Sequence, residues 1–126
     1  QDLDSWLPGW RQLADEQRQA IVSACGALAW RVHEKGQLHG CFYPKHIFLR
    51  EQDGQWQACL IDLEKTRPLL LGRRDRIKDL EPLVRRASCI GEQGVRHLLN
   101  AYLDDPRLVE PWLLQLQRRH KAKEAR

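Results

Sequence analysis

The residues HGCFYPKHIFL (39–49) and REQDGQWQACLID (50–62) decide how the chain folds. Asp53-Gly54 is the strongest short hairpin signal, because a two-residue turn that matches strand twist needs positive φ at both central positions. It lies between the apolar run Ile47, Phe48, Leu49 and a second run, roughly Trp56 to Ile61. The second strand is therefore expected to bring Asp62 back beside the loop 39–46.

Upstream, from about Trp10 to Lys35, apolar residues recur at Leu13, Ala20, Ile21, Ala24, Leu28 and Val32, with Gly36 placed as a C-cap. That spacing predicts one long helix feeding the loop. Within it Cys25 and Trp30 read as packing residues. The opening DLDSWLPGW reads as a short amphipathic turn or helix stopped by Pro8-Gly9.

Downstream, EKTRPLLLGRRDR (64–76) has no clean period and reads as a loop. From Arg74 to Ser88 helical spacing returns, with Ile77, Leu80, Val84 and Ala87 on one side. Pro82 conflicts with that run, because an interior proline costs about 3 kcal/mol; either a helix starts near Glu81 or the helix kinks. Gly91 and Gly94 are expected to close this section, and Val95 to Leu103 to form a short helix. Asp105-Pro106 is a cap followed by a helix-starting proline, opening a last helix through Leu113 and Leu116, with Pro111 restarting it a turn later. The expected fold class is mainly α with one short β-hairpin.

A chain of 126 residues fits one domain with a small core. The net charge of +4 is mild for a nucleic-acid binder, and the basic residues are spread out except for Arg118, Arg119, His120, Lys121, Lys123 and Arg126. Nucleic acid is not the expected partner. No apolar stretch approaches the roughly 20 residues that span a bilayer, and no signal-peptide pattern opens the chain. Cys25, Cys41, Cys59 and Cys89 form no CxxC pair, so a zinc knuckle or redox motif is not expected, and buried thiols in a reducing cytoplasm are.

The loop and the returning carboxylate have the layout of a phosphoryl-transfer centre. The kinase catalytic loop H-R-D-x-x-x-x-N supplies an Asp that accepts the acceptor's hydroxyl proton and an Asn that binds metal. On that frame His39 takes the His place, Gly40 the Arg, Cys41 the catalytic Asp and His46 the Asn. Asp62 stands where the metal-binding Asp belongs, followed by Leu63 and Glu64 in place of Phe and Gly. Taken alone, Asp62 reads equally as a turn residue or N-cap, and His46 as a polar residue at a strand start. Their spacing across a hairpin favours a shared metal site.

His39, Tyr43, His46 and Leu49, then Leu60-Ile61-Asp62-Leu63, then Lys78-Asp79-Leu80, resemble the lipopolysaccharide-core heptose and Kdo kinase family of Gram-negative bacteria, particularly its InaA-type branch. The family pattern is close to HRDxYxxHxxL, LIDL and KDL, so the histidine at 46 is a family trait, while Cys41 and Gly40 depart from it. The resemblance implies the C-terminal lobe of a protein-kinase-like fold over 1–126. It also implies ATP and Mg²⁺ as cofactors, a lipopolysaccharide-core sugar as acceptor, and a cytoplasmic place at the inner face of the inner membrane. The chain has no Met, no GxGxxG and no GxxxxGK; the expectation is a fragment whose N-terminal lobe, with its glycine-rich loop and Lys, belongs to the same protein.

His39 is expected to brace the loop. A carboxylate at Asp79, among apolar helix positions, is costly unless backbone amides pair it; its kinase counterpart holds the catalytic loop, a structural role. A thiol at Cys41 stays mostly protonated at neutral pH, near its ordinary pKa of about 8.5. The expectation is therefore a kinase-like protein with weakened, repurposed or absent transfer activity, a pseudokinase in the last case. The competing class is a helical binding module without chemistry, using the basic tail with Arg73, Arg74, Arg76, Arg85 and Arg86 to hold an acidic protein, nucleic acid or anionic lipid.

Overall fold

The computed structural model describes residues 2–40, 42–60, 67–69, 72–103 and 105–124, with the backbone alone at 67 and 120–124. Its elements are helices α1 (Leu3–Trp6), α2 (Asp15–Glu34), α3 (Arg73–Arg86), α4 (Gly91–Leu103) and α5 (Val109–Glu124). Strands are β1 (Gln37–Leu38), β2 (Ile47–Gln52), β3 (Gln55–Leu60) and β4 (Arg67–Pro68). The chain is mainly α with one antiparallel hairpin, β2–β3, in register from Ile47↔Leu60 to Gln52↔Gln55. Asp53 and Gly54 turn it, at φ 53° and 79°. The ladder ends one residue after His46 and two before Asp62.

A second ladder pairs Gln37 with Pro68 and Leu38 with Arg67, and Leu69 N–H donates to the Gly36 carbonyl at 2.8 Å. It ties the segment after the hairpin to the chain entering the loop. Two residues are too few to show a period, and Pro68 argues against a strand unless it lies at an edge. That is why the stretch reads as loop in sequence.

The long helix starts later than its pattern suggests. Trp10–Gln12 form a separate 3₁₀ turn, and α2 begins at Asp15, where Gln17 Oε1 accepts from the Ala14 N–H and Asp15 and Glu16 complement the helix's positive end. Gly36, at φ 79°, takes the left-handed position past its C-terminus. The buried face of α2 includes Val22, Cys25, Gly26, Ala29 and His33 as well as Ile21 and Leu28. It is broad because α4 lies on one side and the hairpin on the other. Cys25 is buried, and burial pushes its thiol pKa up to about 12. Trp30, read as a packing residue, is 43 % exposed instead.

Helix α3 runs unbroken through Pro82 and starts well before Glu81, at the cost of the intrahelical bond that residue 82 would donate to the Lys78 carbonyl. Gly94 lies inside α4 rather than ending the section before it. Asp105 caps the 3₁₀ turn Pro106–Leu108 by accepting from Arg107 N–H, and Pro111 falls in the first turn of α5, where an N–H has no intrahelical partner in any case. Leu3 of α1 joins the core, and Trp6 meets Trp56 of β3 edge-on at 5.3 Å.

The α2–α4 crossing is set by Gly26. A Cβ there would stand 2.3 Å from the Leu98 carbonyl oxygen and 3.0 Å from Ala101 Cβ, so the two backbones can approach only because that atom is missing. Alanine gains about 1 kcal/mol of helix propensity over glycine, but overpacking against backbone costs about 1–3 kcal/mol and more when nothing can yield. Gly26→Ala is expected to lower stability by about 2 kcal/mol in urea unfolding; a variant as stable as the parent would show that this contact is absent in solution.

Candidate functional site

Helix α3 carries Asp79 into the interior, 5 % exposed, where one carboxylate meets three donors. Asp79 Oδ2 accepts from His39 N–H at 2.9 Å and from His33 Nε2 at 2.8 Å, and Oδ1 accepts from Gly40 N–H at 2.9 Å. The carboxylate thus grips the backbone of the two residues that immediately precede Cys41. Burial pushes the Asp79 pKa up, but the His33 hydrogen bond and the Gly40 and His39 amides outweigh it, holding the carboxyl below its usual range.

The network continues outward. Tyr102 Oη of α4 lies 2.5 Å from His33 Nδ1 and accepts from Arg76 at 3.2 Å. Arg76 in turn reaches Glu34 at 3.4 Å, at the surface. Arginine only donates, so the tyrosine proton is free to point to Nδ1, which leaves the other His33 nitrogen as the donor to Asp79. Burial foremost keeps the Tyr102 pKa up at about 12, so the hydroxyl keeps its proton across the physiological range.

Around this anchor the loop side chains pack as rings. His39 is fully buried, 5.6 Å from Phe42 and 5.8 Å from His46. Pro44–His46 form a 3₁₀ turn, and Tyr43 lies 5.7 Å from His46. Arg86, at the end of α3, sets its guanidinium 4.1 Å from the Tyr43 ring centre. Thus α3 meets the loop twice, at Asp79 and again two turns later.

Cys41 and Asp62, the expected base position and metal carboxylate, lie outside the described residues. Among the described residues, no three of His, Cys, Asp and Glu converge to hold a metal ion. Magnesium demands near-octahedral oxygen coordination, which a lone His46 imidazole does not provide; a magnesium site here would depend on Asp62. A cavity of about 500 Å³ between α3, α4 and α5 is lined by Val84, Ile90 and Leu113 among others and shares no residue with the loop.

Three of the α3 arginines are engaged by other side chains. Arg73 lies over the Trp112 ring at 5.6 Å, Arg76 belongs to the buried network, and Arg85 stands 3.8 Å from Glu81.

A model of the lipopolysaccharide kinase (Kdo/WaaP) family matches residues 1–102, which include the whole loop, the hairpin and α3. The chain belongs to that family. It is also similar to Protein InaA of Escherichia coli (strain K12), at 38 % identity over 63 residues. That match covers 50 % of this chain and 28 % of InaA, so the chain spans well under two thirds of its relative's length. The kinase-like lobe fits the family.

Sequence reasoning missed His33, Tyr102 and Arg76 as the network behind Asp79, and Arg86 as a neighbour of Tyr43. His33 carried a signal, since it continues the stripe of Cys25 and Ala29 into the buried face of α2.

The Asp79 network makes stability depend on acid pH. A carboxylate whose folded pKa is depressed stabilises the fold above its unfolded pKa of about 3.9, and that contribution is lost as pH falls through the lower folded value. The chain is therefore expected to lose stability on acidification below about pH 4. Asp79→Ala, which strands two amides and an imidazole, is expected to cost about 3–5 kcal/mol at neutral pH and to flatten the acid limb. Chemical denaturation at several pH values checks both; an unchanged acid limb in the variant would assign the pH dependence elsewhere.

Proposed function

We propose that this chain is the C-terminal lobe, over 1–126, of a lipopolysaccharide kinase-like protein that presents a sugar hydroxyl for ATP-dependent phosphoryl transfer at the 39–46 loop. The observation that carries the reading is the bond pair from His39 and Gly40 amides to Asp79. It fixes the backbone immediately before the base position, and phosphoryl transfer needs positioning above all. Asp62 and His46 are the proposed cofactor end, with Asp62 supplying the carboxylate oxygen. ATP and Mg²⁺, when bound, supply the phosphoryl group and neutralise its charge.

The family membership supports a kinase-like protein with a sugar acceptor. The finer reading is a heptose or Kdo sugar of the lipopolysaccharide core, handled in the cytoplasm at the inner face of the inner membrane, with an N-terminal lobe of the same protein closing over the nucleotide. Among the described residues no helix is long and apolar enough to cross a membrane.

The chain's own residues set the frame: His39 packs the loop from beneath, Asp79 holds its backbone, and Cys41 occupies the place of the base. A protonated thiol is a poor proton acceptor at neutral pH, and a general base contributes about 10²–10⁴-fold. In a loose transition state the attacking oxygen loses its proton late, so the cost of Cys41 falls toward the lower end of that range.

Restoring the carboxylate tests this. In the protein carrying both lobes, Cys41→Asp is expected to raise phosphoryl transfer or ATP turnover, while Cys41→Ala changes little. A hundredfold loss in Cys41→Ala, with the circular dichroism spectrum intact, would make Cys41 a working catalytic group and overturn the assignment. Titration with Mg·ATP tests the cofactor end, since Asp62→Asn and His46→Ala should each weaken binding.

A further inference from the structure

Two cations approach one tyrosine of the loop. The Arg86 guanidinium lies 4.1 Å from the Tyr43 ring centre and Lys45 Nζ lies 6.0 Å from it. Tyr43 and Lys45 follow Cys41 by two and four residues. Arg86 and Lys45 are both exposed, and among the described residues neither has a carboxylate within ion-pair distance. Arg73, Arg76 and Arg85 of the same helix are each engaged by another side chain.

We propose that Arg86 and Lys45, gathered on the Tyr43 ring, form an anion-binding site at the acceptor side of the loop, taking a carboxylate or phosphate on the acceptor sugar. The inference deepens the function proposed above and rests on it for the word acceptor.

Three physical points support the site. A guanidinium held over a ring makes its contact without a hydrogen-bond acceptor, so its N–H donors remain for a carboxylate or phosphate, whose geometry the guanidinium fork matches. Two positive groups near one ring raise the local positive potential, which favours an anion beside them. The position is also fixed from inside: Asp79 and Arg86 are seven residues apart, two helical turns, and so share a face of α3. The helix that anchors the loop backbone therefore also sets where the guanidinium stands relative to Tyr43.

The test is a titration of the chain with glucuronate, glucose 6-phosphate and, as neutral control, glucose, followed by NMR signals of the 42–48 amides and of Arg86 Nε–H. At least one acid should shift these signals saturably while glucose does not, and the tighter acid identifies carboxylate or phosphate as the recognised group. Arg86→Gln should weaken that binding roughly tenfold or more, because charge-assisted hydrogen bonds are lost. Arg86→Lys should recover part of it, since the charge returns without the fork. Lys45→Gln provides an independent variant that leaves the Arg86 stacking in place, and it should also weaken binding.

The proposal is overturned if neither acid shifts the signals, or if both Gln variants bind as the parent does. Acid binding in a protein that fails to bind Mg·ATP would keep the anion site and reject the kinase reading.

Discussion

A carboxylate taken out of water costs several kcal/mol unless its lone pairs are satisfied, and Asp79 is the place where this chain meets that constraint. Three elements meet there: α3 brings the charge, while α2 brings the donor His33 and the loop brings the donor amides of His39 and Gly40. None can shift without uncovering the charge. The second tier, Tyr102 with Arg76 and Glu34, extends the same demand to α4 and the surface. The Gly26 contact complements it, because the close α2–α4 approach holds the helices that carry His33 and Tyr102.

Local signals were legible in sequence and long-range ones were not. Asp53-Gly54 marked the hairpin because positive φ has a residue signature, and the helices of the C-terminal half announced themselves by period and by Asp105-Pro106. The start of α2 was misplaced because Trp10 continues the apolar pattern while the backbone needs a break to turn the 3₁₀ segment into the helix. Pro82 looked like a boundary because propensity is local, whereas burial of Ile77, Leu80 and Leu83 holds α3 together across it. Around the site, a carboxylate among apolar positions signalled that something must satisfy it. Backbone amides were the expected kind of partner; which amides serve, and that His33 joins them, was hidden, because the His39 amide lies 40 residues away in sequence and backbone donors have no side-chain signature. The stacking of Arg86 on Tyr43 was hidden for the same reason.

Among the described residues, the donors to Asp79 are two backbone amides and His33. Two of the three bonds are thus made by main-chain groups, so they hold the path of the loop backbone whatever side chains His39 and Gly40 carry.

The His39 and Gly40 amides also bear on the thermodynamics of ligand capture. A surface loop ordinarily surrenders its conformational freedom when a ligand arrives, and that ordering subtracts from affinity. Here the entrance of the loop is bonded to a buried carboxylate and walled by Phe42 and His39, both without solvent exposure. Its entropy is surrendered once, during folding, so a ligand meeting this segment encounters a preorganised surface. Selectivity among ligands then rests on how well each fits a fixed shape, with little induced adjustment to blur the difference.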